Sequence, residues 1–402
     1  MNHPVLFQDD VGKMSRSIEE AQEPNDRMEN LMESKGLDFN LDKSCAVVLG
    51  ARNARKKLIA DLAKNPLKLN GVNMKIVDSE RYLGDQLSVN LSESVHETVK
   101  RRVGLANHSV FEIRSVVDDA RAEAIGRLTI GFTIWETSVI PALLANSECW
   151  LGLGKKTLRL LDNIQLKYLR LVTGLGTSCP IPILLYHTGT LSMSNRVLLR
   201  KALFLHHVAT LPPGSLAREV YDTMTHHNHP GLVSELTPIL QEFGIGDIGS
   251  YSKYQFKHLI KSKIKERNKA ELLLRADSNK KISRQLLQEE DFGVHEYFKT
   301  LTVSQARLRF RIYSRLTPKV AMCYKNDLNY KRMGYQCVAH MEAGEPITEE
   351  NRDTEEHILN CRFYADLKSD LSVDTHWGIV QYFRRVIARR TGIEKYNTES
   401  DF

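Results

Sequence analysis

The chain has 402 residues, 42% hydrophobic and 26% charged, with a formal net charge of +7. That make-up is typical of a soluble globular protein and leaves room for two or three domains. It contains nothing like the roughly 18 consecutive apolar residues of a membrane span. Residues 128–150 come nearest, but Glu136 and Glu148 interrupt them.

Residues 1–7 have neither the basic start nor the apolar run of a secretion signal. The expectation is an intracellular protein, nuclear or cytoplasmic, with no membrane partner. Six cysteines in a chain this long do not make a disulfide scaffold. Cys45, Cys149, Cys179 and Cys323 stand alone and are expected to behave as small buried hydrophobes.

In chain order, Val5-Leu6-Phe7 reads as a strand running into the acidic turn Gln8-Asp9-Asp10. Residues 17–36 carry Ile18, Ala21, Met28, Leu31 and Met32 at helical spacing, with Gly36 as the stop. Strand-like pieces follow at residues 46–49 and 74–77. Residues 91–245 read as almost wholly helical, with long periodic segments at 94–117, 156–172 and 194–211. Residues 246–335 are helical and basic. Within 251–320 there are 17 Lys and Arg against seven Asp and Glu, a surplus that suits a polyanion or a solvated helix face. Residues 336–402 hold a Cys/His group and then a helix over 378–390. The fold class expected is α+β, predominantly α.

Two adjacent aspartates usually make an ordinary turn. They can also sit at the tip of a strand hairpin and hold divalent cations roughly 4 Å apart for nucleotidyl transfer, where Mg2+ suits oxygen ligands. The order of the motifs decides between these readings. Phe7-Gln8-Asp9-Asp10 resembles the aromatic-x-Asp-Asp motif of reverse transcriptases, and residues 21–32 resemble the helix that follows it in LINE-type (non-LTR) retroelement enzymes. Gly36-Leu37-Asp38-Phe39-Asn40-Leu41-Asp42-Lys43-Ser44 is similar to the segment that supplies a lysine near the incoming nucleotide. Arg81-Tyr82-Leu83-Gly84 resembles the hairpin that grips the primer end. Residues 99–104, 135–144, 163–171 and 180–196 look like the thumb and following helices.

The resemblance implies a small palm-sheet remnant over 1–90, a helical thumb over 91–245, a basic helical region over 246–335 and a zinc-knuckle-like tail over 336–402. It implies Asp9, Asp10 and Lys43 as catalytic residues, with Asp9 and Asp10 on Mg2+. Tyr82 and Gly84 would touch nucleic acid. The fingers and the first palm aspartate, which shares both metals in the family, are missing. With one essential carboxylate absent, the chain is expected not to polymerise alone; dNTP would be a substrate only in an intact relative. The activity expected to remain is binding of RNA or an RNA–DNA duplex.

Cys337-Val338-Ala339-His340 is followed, after sixteen residues, by His357-Ile358-Leu359-Asn360-Cys361. Two thiolates and two imidazoles make a set that tetrahedral Zn2+ accepts. The second pair falls on a short helix capped by Asp353 or Thr354, which places His357 and Cys361 on one face. The bland reading buries Cys361 and Ile358 and leaves His340 on a loop. The group resembles the carboxy-terminal knuckle of LINE polymerases, with His340 standing where a second cysteine is usual.

Of the remaining candidates, His226, His227 and His229 read as an exposed polar turn, while one of His206 and His207 packs and the other is solvated. In the run Arg307-Leu308-Arg309-Phe310-Arg311-Ile312-Tyr313-Ser314-Arg315, a helix sets Arg307, Arg311 and Arg315 on one face beside two aromatics. Such a face can bind phosphates and stack on bases, or it can be a basic outer face over an aromatic inner one. The competing function is a helical protein-interaction scaffold or a relic of the element.

Overall fold

The computed structural model describes residues 5–7, 10–119, 124–176, 179–227, 229–277, 292–314, 336–346, 348 and 350–391. It is predominantly helical with a few short strands, as expected. The chain forms two compact units, residues 1–104 with 149–160, and residues 105–148 with 161–402. Among the described residues no helix is long and apolar enough to cross a membrane.

The first unit opens with a hairpin of β1 (Val5–Phe7) and β2 (Asp10–Gly12), in which Phe7 pairs with Asp10. Helix α1 (Ile18–Ser34) begins where the Ser17 hydroxyl accepts the Glu20 amide, and ends before Gly36, whose φ of 66° only glycine adopts freely. β3 (Cys45–Val47) runs parallel to β6 (Lys75–Val77), with α2 (Arg52–Lys64) in the connection that a parallel pair requires. A small hairpin, β4 (Lys68–Leu69) and β5 (Val72–Asn73), lies between. Val48, Leu62 and Leu67 form the core here, with Ile18, Ala21, Ile59 and Met74 against them.

β7 (Ser79–Tyr82) and β8 (Asp85–Ser88) make a tight hairpin. Its two loop residues, Leu83 and Gly84, have φ of 49° and 84°, the sign that a two-residue turn matched to strand twist needs. Arg102, on α3 (Leu91–Asp119), braces this hairpin through Asp85 at 2.6 Å and lies over the Trp150 ring.

The second unit is helical. α4 (Ala124–Ile134) passes into a π-helical turn over Trp135–Val139 and then α5 (Ile140–Leu143). Trp135 stacks on Tyr168 of α6 (Lys155–Thr173) at 4.5 Å. α7 (Ile181–His187), α8 (Met193–Ala209), α9 (Leu216–His226) and α10 (Leu232–Glu242) lead to the long α11 (Lys253–Asp277). Leu205, Leu236 and Leu240 meet Phe256, Ile260 and Ile264 in one core cluster. His206 is buried and stacks on Phe256 while His207 is exposed, and His226, His227 and His229 are exposed, as expected.

Two short helices, α12 (Glu296–Thr300) and α13 (Val303–Tyr313), precede the tail, which holds α14 (Val338–Glu342), α15 (Glu355–Asn360) and the closing α16 (His376–Thr391). Of the isolated cysteines, Cys179 is buried as expected, Cys45 is half-buried, Cys149 is exposed, and Cys323 lies outside the described residues.

Candidate metal centre

The ligand atoms of Cys337, His340, His357 and Cys361 lie within 4.8 Å of one another. Local structure places each pair. Cys337 is the residue before α14 and His340 lies within it, so a helical turn sets their side chains together. The Thr354 hydroxyl accepts the His357 amide and starts α15, which carries His357 on its first turn and ends at Cys361. Thr354, and not Asp353, is therefore the cap.

Polar contacts on both nitrogens orient each ring. His357 Nδ1 lies 2.7 Å from the Glu350 carbonyl, leaving the buried Nε2 for the Cys337 thiol. His340 Nδ1 is 3.7 Å from the Cys361 sulfur, and its Nε2 faces the Glu345 carboxylate at 3.7 Å. The His357 ring thus points one nitrogen inward and holds the other on an oxygen, the arrangement that fixes the tautomer of a metal-ligating imidazole. Zinc–sulfur and zinc–nitrogen bonds on a tetrahedron separate neighbouring ligands by about 3.3–3.8 Å. The 3.7 Å pair already has that spacing, and the widest pair would close by about 1 Å.

The two thiols differ electrostatically. Burial pushes the Cys337 thiol up, but hydrogen bonds with His357 and His340 and the positive charge of Arg390 outweigh it and bring it to about 6. Burial pushes the Cys361 thiol up to about 11, with the charge of Cys337 adding to the effect. The hydrogen bond with Cys337 raises His357 from the ordinary imidazole value. A thiol brought down beside two imidazoles is one whose proton a cation readily replaces.

Two charged residues that the spacing of motifs did not single out complete the centre. Arg390, from the last turn of α16, donates to the Cys337 sulfur at 3.5 Å. Asp353 faces the same guanidinium at 2.8 and 3.1 Å, and Tyr364 accepts from its Nε at 2.8 Å. Both ends of this ion pair are almost wholly enclosed. Adjacency of Asp353 to the His357 turn was the one sequence signal; the role of Arg390, 29 residues beyond Cys361, had none.

Asp9 lies outside the described residues; Asp10 opens β2, and its side chain is likewise not described. Lys43 is exposed in a turn. Tyr82 is half-buried, and a Cβ at Gly12 would fall 2.6 Å from its hydroxyl, so its ring covers the end of β2. Gly84 occupies the turn of its hairpin, where its carbonyl accepts from Arg101.

The arginine helix requires a correction. Arg309 is buried on α13, donating to His376 Nδ1 at 3.1 Å and to the Tyr313 hydroxyl at 3.0 Å. Phe310 and Tyr313 are buried as well. Arg307 is half-buried, with its guanidinium against Gly174, and Arg311 is half-exposed. Arg315 lies outside the described residues. Burial of Arg309 and the aromatics removes them as nucleic-acid contacts, since the core of this unit claims their side chains.

Among the described residues, the Cys/His group is the one cluster of three or more metal-ligating side chains. No family model matches the chain, and no curated protein or solved structure matches it.

Proposed function

We propose that this chain is the carboxy-terminal portion of a LINE-type reverse transcriptase, holding one structural Zn2+ and binding RNA or an RNA–DNA duplex without polymerising on its own. The convergence of Cys337, His340, His357 and Cys361 carries the reading. Two pairs separated by sixteen residues meet with both imidazoles oriented inward, and they do so in the region where the resemblance expects a knuckle. The order of elements in the first unit supports it: a hairpin beginning its second strand at Asp10, a polar helix, a parallel strand pair and the Tyr82–Gly84 hairpin turn. Zinc held by two thiolates and two imidazoles would tie α14 to α15 and contribute directly to folding of the tail.

The test combines metal analysis with nucleic-acid binding on the purified chain. One zinc per chain, lost in Cys361→Ser, is expected. An affinity for an RNA–DNA hybrid that falls steeply with salt is expected alongside it. Primer extension with Mg2+ and dNTPs should give no product, because the two-metal site lacks a carboxylate. Absence of both zinc and hybrid binding at low salt would overturn the proposal. It would leave the second reading, a helical protein-interaction scaffold, which the burial of Arg309, Phe310 and Tyr313 favours.

A further inference from the structure

Helix α11 carries lysines at positions 253, 257, 261, 265 and 269, five cations at a strict four-residue step. Four residues of α-helix rise about 6 Å, so these side chains form one ridge winding slowly along roughly 24 Å of helix. A second ridge at the same step is Phe256, Ile260, Ile264, Asn268 and Leu272, all buried. The helix is thus anchored in the core by one ridge and turns the other outward, its far end resting on aromatic rings: Lys265 Nζ lies 5.9 Å over Phe292, and Lys269, half-buried, 5.9 Å over Tyr186.

Lys253, Lys257, Lys261 and Lys265 are exposed, and none of them is ion-paired among the described residues. The acidic residues of α11 whose side chains are described do not neutralise them: Glu266 is engaged by Lys263 and Ser262, and Glu271 by Arg267 and Asn195. Beside the ridge stands Tyr254, 83% exposed, one turn from Lys257 and His258. A large aromatic left in water next to unneutralised cations is what an unpaired base can stack on while its flanking phosphates meet ammonium groups.

We propose that the lysine ridge of α11, with Tyr254, is the surface on which this chain docks a single-stranded stretch of nucleic acid. The step of about 6 Å between successive lysines suits the run of phosphates along one strand. Lysine, a point charge on a flexible stem, reads such a strand by charge and not by base. The proposal deepens the nucleic-acid reading above, on which it rests, and moves the contact from the arginine helix to the lysine helix.

The experiment is fluorescence anisotropy of the full chain with a labelled single-stranded RNA and with a fully paired RNA–DNA hybrid, each across a salt series. The variant Lys257→Ala/Lys261→Ala/Lys265→Ala is compared with Lys56→Ala/Lys57→Ala/Lys64→Ala, an equal charge loss at exposed positions of α2. Alanine preserves helix propensity at all six positions, and circular dichroism checks that both variants remain folded. The ridge variant should flatten the logarithmic salt slope for RNA by about 2, while the α2 variant leaves the slope unchanged. Tyr254→Ala should weaken single-stranded RNA by about tenfold and leave the paired hybrid unaltered. Equal losses from the two lysine variants, or RNA binding indifferent to both, would overturn the ridge while sparing the broader reading. No RNA binding by the unaltered chain would overturn both. Ridge-dependent binding of phosphatidylserine vesicles without RNA binding would make the ridge a membrane surface and refute the proposal.

Discussion

The Arg390 guanidinium donates to the sulfur of Cys337 at 3.5 Å, joining the last helix to the Cys/His centre. Its charge is held in the same enclosed space by Asp353, with Tyr364 beneath it. A buried ion pair contributes modestly as a pair, but removing one member strands the other in a low-dielectric interior. Arg390→Met should therefore destabilise the tail by about 3–5 kcal/mol. Arg390→Met/Asp353→Asn should cost less than the sum of the two single changes, by about 1–3 kcal/mol. Denaturant unfolding of the zinc-loaded chain followed through a full double-mutant cycle measures this; strict additivity would show the two side chains to be energetically independent.

Removing the proposed metal should act locally. Treatment with a chelator is expected to speed amide hydrogen exchange across residues 337–361 and along α16, which contacts the centre through Arg390 and through the Tyr382 hydroxyl on the Ile358 carbonyl. Exchange in α8 and α11 should be unchanged, since those helices have their own core. Exchange rates in the tail that ignore chelation would exclude a structural metal.

Acid should destabilise the second unit through His187. This ring is wholly buried, stacks on His295 at 3.8 Å and bonds Tyr297 through Nδ1. Burial, and then the charges of His295, Arg309 and His376, hold its pKa well below the ordinary imidazole value. Below about pH 6.5 the unfolded chain takes up a proton that the folded chain refuses, so stability falls with pH, by up to about 1.4 kcal/mol per unit for this group. Chemical denaturation at pH 7.5 and 5.5 should show the loss, and His187→Phe should reduce the slope even though it leaves the Tyr297 hydroxyl without its ring partner. An unchanged slope in that variant would assign the acid sensitivity elsewhere.

Gly174 has φ of 68°, and a Cβ there would fall 2.1 Å from the Arg307 guanidinium. Gly174→Ala should cost about 1–3 kcal/mol, from backbone conformation and from displacement of Arg307 together. Thermal unfolding tests this, and a variant as stable as the parent would mean that the arginine moves aside freely.

Arg309→Ala should lower stability by about 1–3 kcal/mol through the lost bonds to His376 and Tyr313, leaving the salt slope of RNA binding where it was. A flattened slope in this variant would restore the arginine helix as a contact surface.

Local chemistry made much of this protein legible from its residues. The Ser17 cap and the Gly36 stop bound a helix whose apolar residues recur at helical spacing, and Leu83-Gly84 supplies the backbone signs of a tight hairpin. The i, i+3 and i, i+4 spacings of the two Cys/His pairs set each pair on its own helical turn. The predominantly helical class followed from the same periodicities. What lies beyond one element was decided by tertiary packing. The parallel pairing of β3 with β6 spans 27 residues of intervening chain, and the meeting of the two Cys/His pairs spans sixteen. Recruitment of Arg390 and Asp353 into one buried pair depends on how α16 docks. Arg309 shows the reason most plainly: a helical repeat can set an arginine on a face, but only the neighbouring helix, here α16 with His376, decides whether that face meets water or core.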